Sequence, residues 1–66
     1  MNQSFDIFFI VEEKEVHWIE SSSSLDKAKV RVGELGFRLP GRYLILARPS
    51  GERTIILSKP AKAAMD

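Results

Sequence analysis

The residues best able to do chemistry crowd one short stretch. Glu12, Glu13 and Glu15 lie within four positions, and His17, the single histidine, follows two residues later. Paired carboxylates can divide general acid and base work, and a histidine titrates near neutrality. Neither chemistry is completed. No second histidine stands at H-x-x-x-H spacing and the chain has no cysteine, so a metal site lacks its ligand set. Three glutamates around Lys14 read as a solvated acidic turn, and His17 as an outward-facing strand residue. The four glycines are scattered, with no phosphate loop, nucleophile elbow or dinucleotide fingerprint. The sequence therefore predicts a non-enzymatic protein with no catalytic residue, no cofactor and no metal.

The second candidate chemistry is electrostatic. Net charge is only +1, but the charges are segregated along the chain. Residues 1–26 carry Lys14 against six acids, net −5, whereas residues 27–62 carry nine bases against Glu34 and Glu52, net +7. Arg38, Arg42, Arg48 and Arg53, with Trp18 and Tyr43 available for stacking, are candidate nucleic-acid contacts. Acids in the first half would repel phosphate and no RNP-type motif is visible, so nucleic-acid binding is the alternative reading. The simpler one is that the bases offset the acidic half, within the sheet or across a partner.

Positioning falls to five elements. Phe5 to Glu12 is rich in aromatic and branched residues and reads as a strand with two apolar faces. Phe5, Ile7, Phe9 and Val11 point one way, and Asp6, Phe8, Ile10 and Glu12 the other, which predicts a central, doubly covered strand. A turn at Glu13-Lys14 leads to a second strand, Val16 to Glu20, pairing Val11 with Val16, Phe9 with Trp18 and Phe8 with Ile19. Leu25, Ala28, Val32 and Leu35 recur at helical spacing. Ser23 is the expected N-cap, with Asp26 in the first turn. Gly36 is the expected stop, ahead of Pro40. Gly33, Val30 and Val32 are poor helix formers, so this helix must rely on docking.

Tyr43 to Arg48 alternates as a third strand and Glu52 to Ser58 forms a fourth. A three-residue loop through Pro49, Ser50 and Gly51 would oppose Arg48 to Glu52, Ile45 to Ile55, Leu44 to Ile56 and Tyr43 to Leu57. The expected fold is a two-layer α+β domain of ββαββ order, a four-stranded antiparallel sheet with one helix on one face and its strand order open. The expected core is Phe5, Ile7, Phe9, Val11, Val16, Trp18, Leu25, Ala28, Val32, Leu35, Tyr43, Ile45, Ile55 and Leu57. With Trp18 in the core, Trp18→Ala would cost roughly 3–5 kcal/mol.

Trp18-Ile19-Glu20, Leu25-x-x-Ala28-Lys29, Pro40-Gly41-x-Tyr43-x-Ile45 and Ser50-Gly51 together resemble a set of short bacterial proteins of ββαββ pattern with no assigned activity. The resemblance covers roughly residues 16–52 and implies the fold alone.

Sixty-six residues make one domain, 1–66, with a core spanning 5–58 and a frayed tail over 59–66. A chain this short buries only about 60% of its unfolded surface and gains from a partner. The absence of cysteine fits a reducing compartment, and the longest apolar run, Ile7 to Val11, is far short of a membrane span. The expected setting is cytoplasmic, without membrane association. One helix covers one sheet face, which leaves Phe8, Ile10, Ile19, Leu44, Leu46 and Ile56 on the other. Six such side chains form an apolar patch on the order of several hundred Å², at or beyond what soluble monomers usually leave exposed. The predicted function is thus an interaction module that self-associates as a homodimer through this face, a different protein partner being the other way to cover it.

Overall fold

The structure, a computed structural model, describes residues 3–12 and 14–59. Four strands and one helix follow in the order β1 (Ser4–Glu12), β2 (Glu15–Ser22), α1 (Leu25–Arg38), β3 (Gly41–Arg48) and β4 (Arg53–Ser58). The strands form one antiparallel sheet of order β2-β1-β3-β4, a small α+β fold with α1 against one face. The most apolar strand, β1, is central as expected, but only one of its faces is covered: α1 packs on the Phe5–Ile7–Phe9 side, while Phe8 and Ile10 on the other are half-buried. The expected tail beyond Lys59 lies outside the described residues.

On the helix side, Ile7, Ile45, Tyr43, Ala28 and Val32 are fully or almost fully buried, and Phe5 nearly so. Phe9, Ile19, Leu25, Leu35, Ala47 and Ile56 pack around them. Burial of each large aliphatic chain here contributes about 1.5–3 kcal/mol. The Tyr43 hydroxyl donates to the Leu39 carbonyl, and its ring meets Phe9 edge-on at 5.1 Å between centroids.

The helix boundaries fall one and three residues later than the sequence suggests. Ser24, not Ser23, is the N-cap: its backbone is extended and its Oγ accepts from the Lys27 amide at 3.1 Å. Gly36 does not end the helix. It is buried inside the last turns, because a Cβ there would fall 2.8 Å from Ser58 Cβ, and a missing side chain is what lets α1 settle on β4. The helix runs on to Arg38 and ends ahead of Pro40, with the Leu39 amide donating to Leu35.

Two strand registers also differ from expectation. Between β3 and β4 the loop holds four residues, not three: the Ala47 amide donates to Glu52 at 2.8 Å and the Gly51 amide to Ala47 at 2.7 Å. Gly51, at φ +82°, supplies the left-handed residue that closes this four-residue loop. One extra loop residue turns every β4 side chain over. Tyr43 therefore opposes Ile56, Ile45 opposes Thr54 and Leu44 opposes Ile55.

The β1–β2 register begins as expected, Phe5 opposite Ser22 and Ile7 opposite Glu20, but slips between Ile7 and Phe8. The extra residue is Ile19 on β2, and a second slip makes Val11 the extra residue on β1. These bulges and the longer loop remove five residues from the expected core. Val11, Val16, Trp18, Ile55 and Leu57 are exposed, from 45% for Val16 to 63% for Leu57.

Candidate interaction site

The helix-free face is read from the pairings, because directly opposed residues of an antiparallel sheet share a face. Across β2-β1-β3-β4 its central row is Trp18–Phe8–Leu44–Ile55. Toward the β1–β2 turn the next row is Val16–Ile10–Arg42–Leu57, and toward the opposite end it is Ser21–Asp6–Leu46–Arg53. Of the six residues expected on this face, Phe8, Ile10, Leu44 and Leu46 are there. Ile19 and Ile56 are not: the bulge and the longer β3–β4 loop send both to the helix side, where they pack on the core. Trp18, Val16, Ile55 and Leu57 replace them, so the face carries eight apolar side chains instead of six.

The size of this surface follows from sheet geometry. Four strands at about 4.8 Å spacing and three rows at roughly 6.7 Å intervals span on the order of 400 Å², of which the eight apolar positions make up about two-thirds, on the order of 260 Å². That is of the order of the largest apolar patch on a soluble monomer, and such patches are often functional. Trp18 is 59% exposed and Ile55 61%, so the two ends of the all-apolar row, on the edge strands, are open to solvent.

Asp6 is the chemically unusual residue of this face. It sits in the most apolar strand yet is 5% exposed. Its carboxylate accepts a hydrogen bond from the Ser21 hydroxyl and pairs with the Arg48 guanidinium at 2.8 Å. The Ser21 bond holds the carboxyl below its ordinary range, with the Arg48 charge and the Trp18 side chain adding to the effect and burial opposing it. Asp6 thus remains an anion, clamped at one end of the apolar rows by β2 on one side and β3 on the other. Sequence reasoning passed over it, although a lone carboxylate inside a run of Phe and Ile is a visible signal.

Arg42, Arg48 and Arg53 share the open face by their pairings, at its two ends rather than its centre. Arg38 is apart from them, in the last turn of α1. Glu12 and Glu15 oppose each other at the β1–β2 hairpin tip, and Glu15 Oε2 lies 2.9 Å from His17 Nε2 in an exposed contact. Among the described residues no group of three or more His, Asp or Glu side chains is arranged to hold a metal ion, and no helix is long and apolar enough to cross a membrane. A shallow open groove between β2 and α1 is lined in part by Glu20, Val30 and Arg31. Arg31 there is occupied, bonding Glu20 at 3.0 Å and Glu34 at 3.1 Å.

Compared with known proteins, the chain matches no family model, and no curated protein or solved structure at a significant level.

Proposed function

We propose that this protein is a small non-enzymatic interaction module that self-associates through the helix-free face of its sheet. The carrying observation is the row Trp18–Phe8–Leu44–Ile55, apolar from one sheet edge to the other. With the flanking rows it makes an apolar centre ringed by Asp6, Arg42, Arg48 and Arg53, the arrangement of a hydrophobic interface core with a polar rim. A second copy is a natural cover, since two such faces packed about 10 Å apart fill each other's apolar surface. The marginal core of so short a chain gives association a direct stabilising value. A cytoplasmic setting fits the cysteine-free sequence.

Trp18, the only tryptophan, is a built-in reporter of this reading. On association its indole leaves water, so its emission shifts to shorter wavelength and its quenching by acrylamide falls as protein concentration rises. Emission and quenching that stay constant from nanomolar to millimolar protein would remove the reading.

A second reading is nucleic-acid binding, favoured by the placement of Arg42, Arg48 and Arg53 on the same face as the exposed Trp18 indole. Single strands bind through such stacking and phosphate contacts. Against it, Arg48 is already paired with Asp6, and six of the eight apolar side chains are aliphatic and cannot stack. Fluorescence anisotropy with labelled oligonucleotides tests it: salt-sensitive binding that weakens in Arg42→Gln/Arg53→Gln would support nucleic acid, and no binding at micromolar protein in low salt would exclude it.

A further inference from the structure

We infer that the outer edge of β4 is a strand-addition site, which takes an extended acidic segment of another protein as a fifth strand of the sheet. This goes beyond the self-association proposed above and does not depend on it, since an edge stays open when the faces are covered. The backbone carries the argument. The Ala47 amide donates to the Glu52 carbonyl, and bonded pairs alternate along an antiparallel ladder. Ile45 with Thr54, Tyr43 with Ile56 and Gly41 with Ser58 are therefore the bonded pairs, so Thr54, Ile56 and Ser58 direct their amides at β3. Arg53, Ile55 and Leu57 turn theirs outward, which sets three donors and three acceptors along the free edge of the sheet.

The two edges of the sheet differ in how they are guarded. Sheet edges that must stay unpaired are blunted by charged side chains, bulges or proline. β2 has the first two, since Glu15, His17 and Glu20 lie along it and the bulge at Ile19 breaks its register. β4 contains neither a bulge nor a proline, and its pairing with β3 runs without a slip from Arg53 to Ser58. Its apolar side chains on the open face, Ile55 at 61% exposed and Leu57 at 63%, have a neighbouring strand on one flank only. An added strand supplies the missing backbone partners and the second flank together.

Charge selects the occupant. Arg53, and Arg42 beside Leu57 in its row, are exposed bases of the open face, and Lys59 follows the strand. None of the three has an ion-pair partner among the described residues, whereas Arg48 is already held by Asp6. Glu52, the nearest acid in sequence, opposes Ala47 and so belongs to the helix side. A second copy of β4 is therefore the wrong occupant. Set antiparallel with Ile55 on Ile55, it brings both copies' Arg42, Arg53 and Lys59 to one seam with no carboxylate between them. A second copy's β2 is bulged, and joining it to β4 makes a head-to-tail contact that does not close. A foreign strand with carboxylates opposite Arg53 and Leu57, and an apolar residue opposite Ile55, satisfies the backbone, the apolar flank and the bases at once.

The test uses dilute, isotope-labelled full-length protein and the peptide acetyl-Thr-Glu-Thr-Val-Thr-Glu-Thr-amide, which in antiparallel register sets Glu opposite Arg53 and Leu57 and Val opposite Ile55. Hydrogen exchange is followed amide by amide by NMR. Millimolar peptide should slow exchange at Arg53, Ile55 and Leu57 and leave Thr54, Ile56 and Ser58, already bonded to β3, unchanged. The same peptide N-methylated at Val and both Glu keeps its side chains, loses the donors aimed at β4, and should have no effect. Lys in place of both Glu should weaken binding on the order of tenfold, and Arg42→Glu/Arg53→Glu should reverse that preference. Unchanged exchange at the three amides overturns the site, as does an equally effective N-methylated peptide, or shift changes centred on Trp18, Phe8 and Leu44 instead of β4. Equal binding of the Glu and Lys peptides overturns the acidic occupant. The same alternating protection appearing with rising protein concentration and no peptide assigns the edge to a second copy and overturns the foreign one. Sedimentation of the parent reports on face-to-face association separately, so the failure of either proposal leaves the other standing.

Discussion

Ser58 occupies the space that a side chain on Gly36 would need. A Cβ at position 36 would come within 2.8 Å of Ser58 Cβ, while Ser58 Oγ donates to the Val32 carbonyl at 2.8 Å. The hydroxyl thereby ties the end of β4 to a helix that sits close only because Gly36 is bare. Gly36→Ala should therefore destabilise, the clash of about 1–3 kcal/mol outweighing the roughly 1 kcal/mol that alanine gains in helix propensity. Gly33→Ala, with nothing within 4 Å of the added carbon, should stabilise by up to about 1 kcal/mol. Thermal melts of the two variants should move in opposite directions, and a Gly36→Ala midpoint above the parent's would contradict this packing.

Asp6 predicts an acid limb in the stability curve. Its folded pKa lies below the ordinary value of 3.8, chiefly through the Ser21 hydroxyl and then the Arg48 charge. A carboxylate with a lowered folded pKa contributes stability that is complete above the unfolded value and disappears as pH falls through the folded one. The parent should lose this contribution below about pH 4. Asp6→Asn should be less stable at pH 7 by about 1–3 kcal/mol and should lose less on acidification. Urea melts at pH 7 and pH 2.5 measure both; parallel pH dependence in the two proteins would show that Asp6 does not carry the effect.

How far the fold was legible is clearest at Trp18 and Ile19. Strand identities, the helix stripe of Leu25, Ala28, Val32 and Leu35, and the two-layer arrangement follow from periodicity, which is a local property. The faces of β2 and β4 do not, because they depend on single-residue shifts. The Ile19 bulge exchanges Trp18 for Ile19, and the fourth loop residue before Glu52 exchanges Ile55 and Leu57 for Ile56. Neither shift leaves a composition signal, since the residues exchanged are all apolar. The open face was thus recognisable as apolar while two of its members were misplaced. Asp6 was missed because its partners Ser21 and Arg48 lie 15 and 42 positions away in sequence.

The exposed placement of Trp18 reverses the stability expected from sequence alone. Ile7→Ala, at a fully buried site, should cost about 2–5 kcal/mol. Trp18→Ala should cost dilute protein clearly less than Ile7→Ala does, since the indole is 59% exposed, and its larger effect should appear where copies associate. The parent's midpoint should rise with protein concentration and that of Trp18→Ala should not. A large loss for Trp18→Ala in dilute solution would return this tryptophan to the core.

Sedimentation velocity of the parent and of Leu44→Glu across a dilution series tests self-association through the open face most directly. Leu44 lies between Phe8 and Ile55 in the apolar row and is only partly buried, so a glutamate there can reach water in the monomer but not between two packed sheets. The parent should sediment as a dimer at high concentration and dissociate on dilution, while Leu44→Glu, folded by circular dichroism, should remain monomeric throughout. A parent that stays monomeric at millimolar concentration, or a Leu44→Glu variant that dimerises as the parent does, would contradict the account.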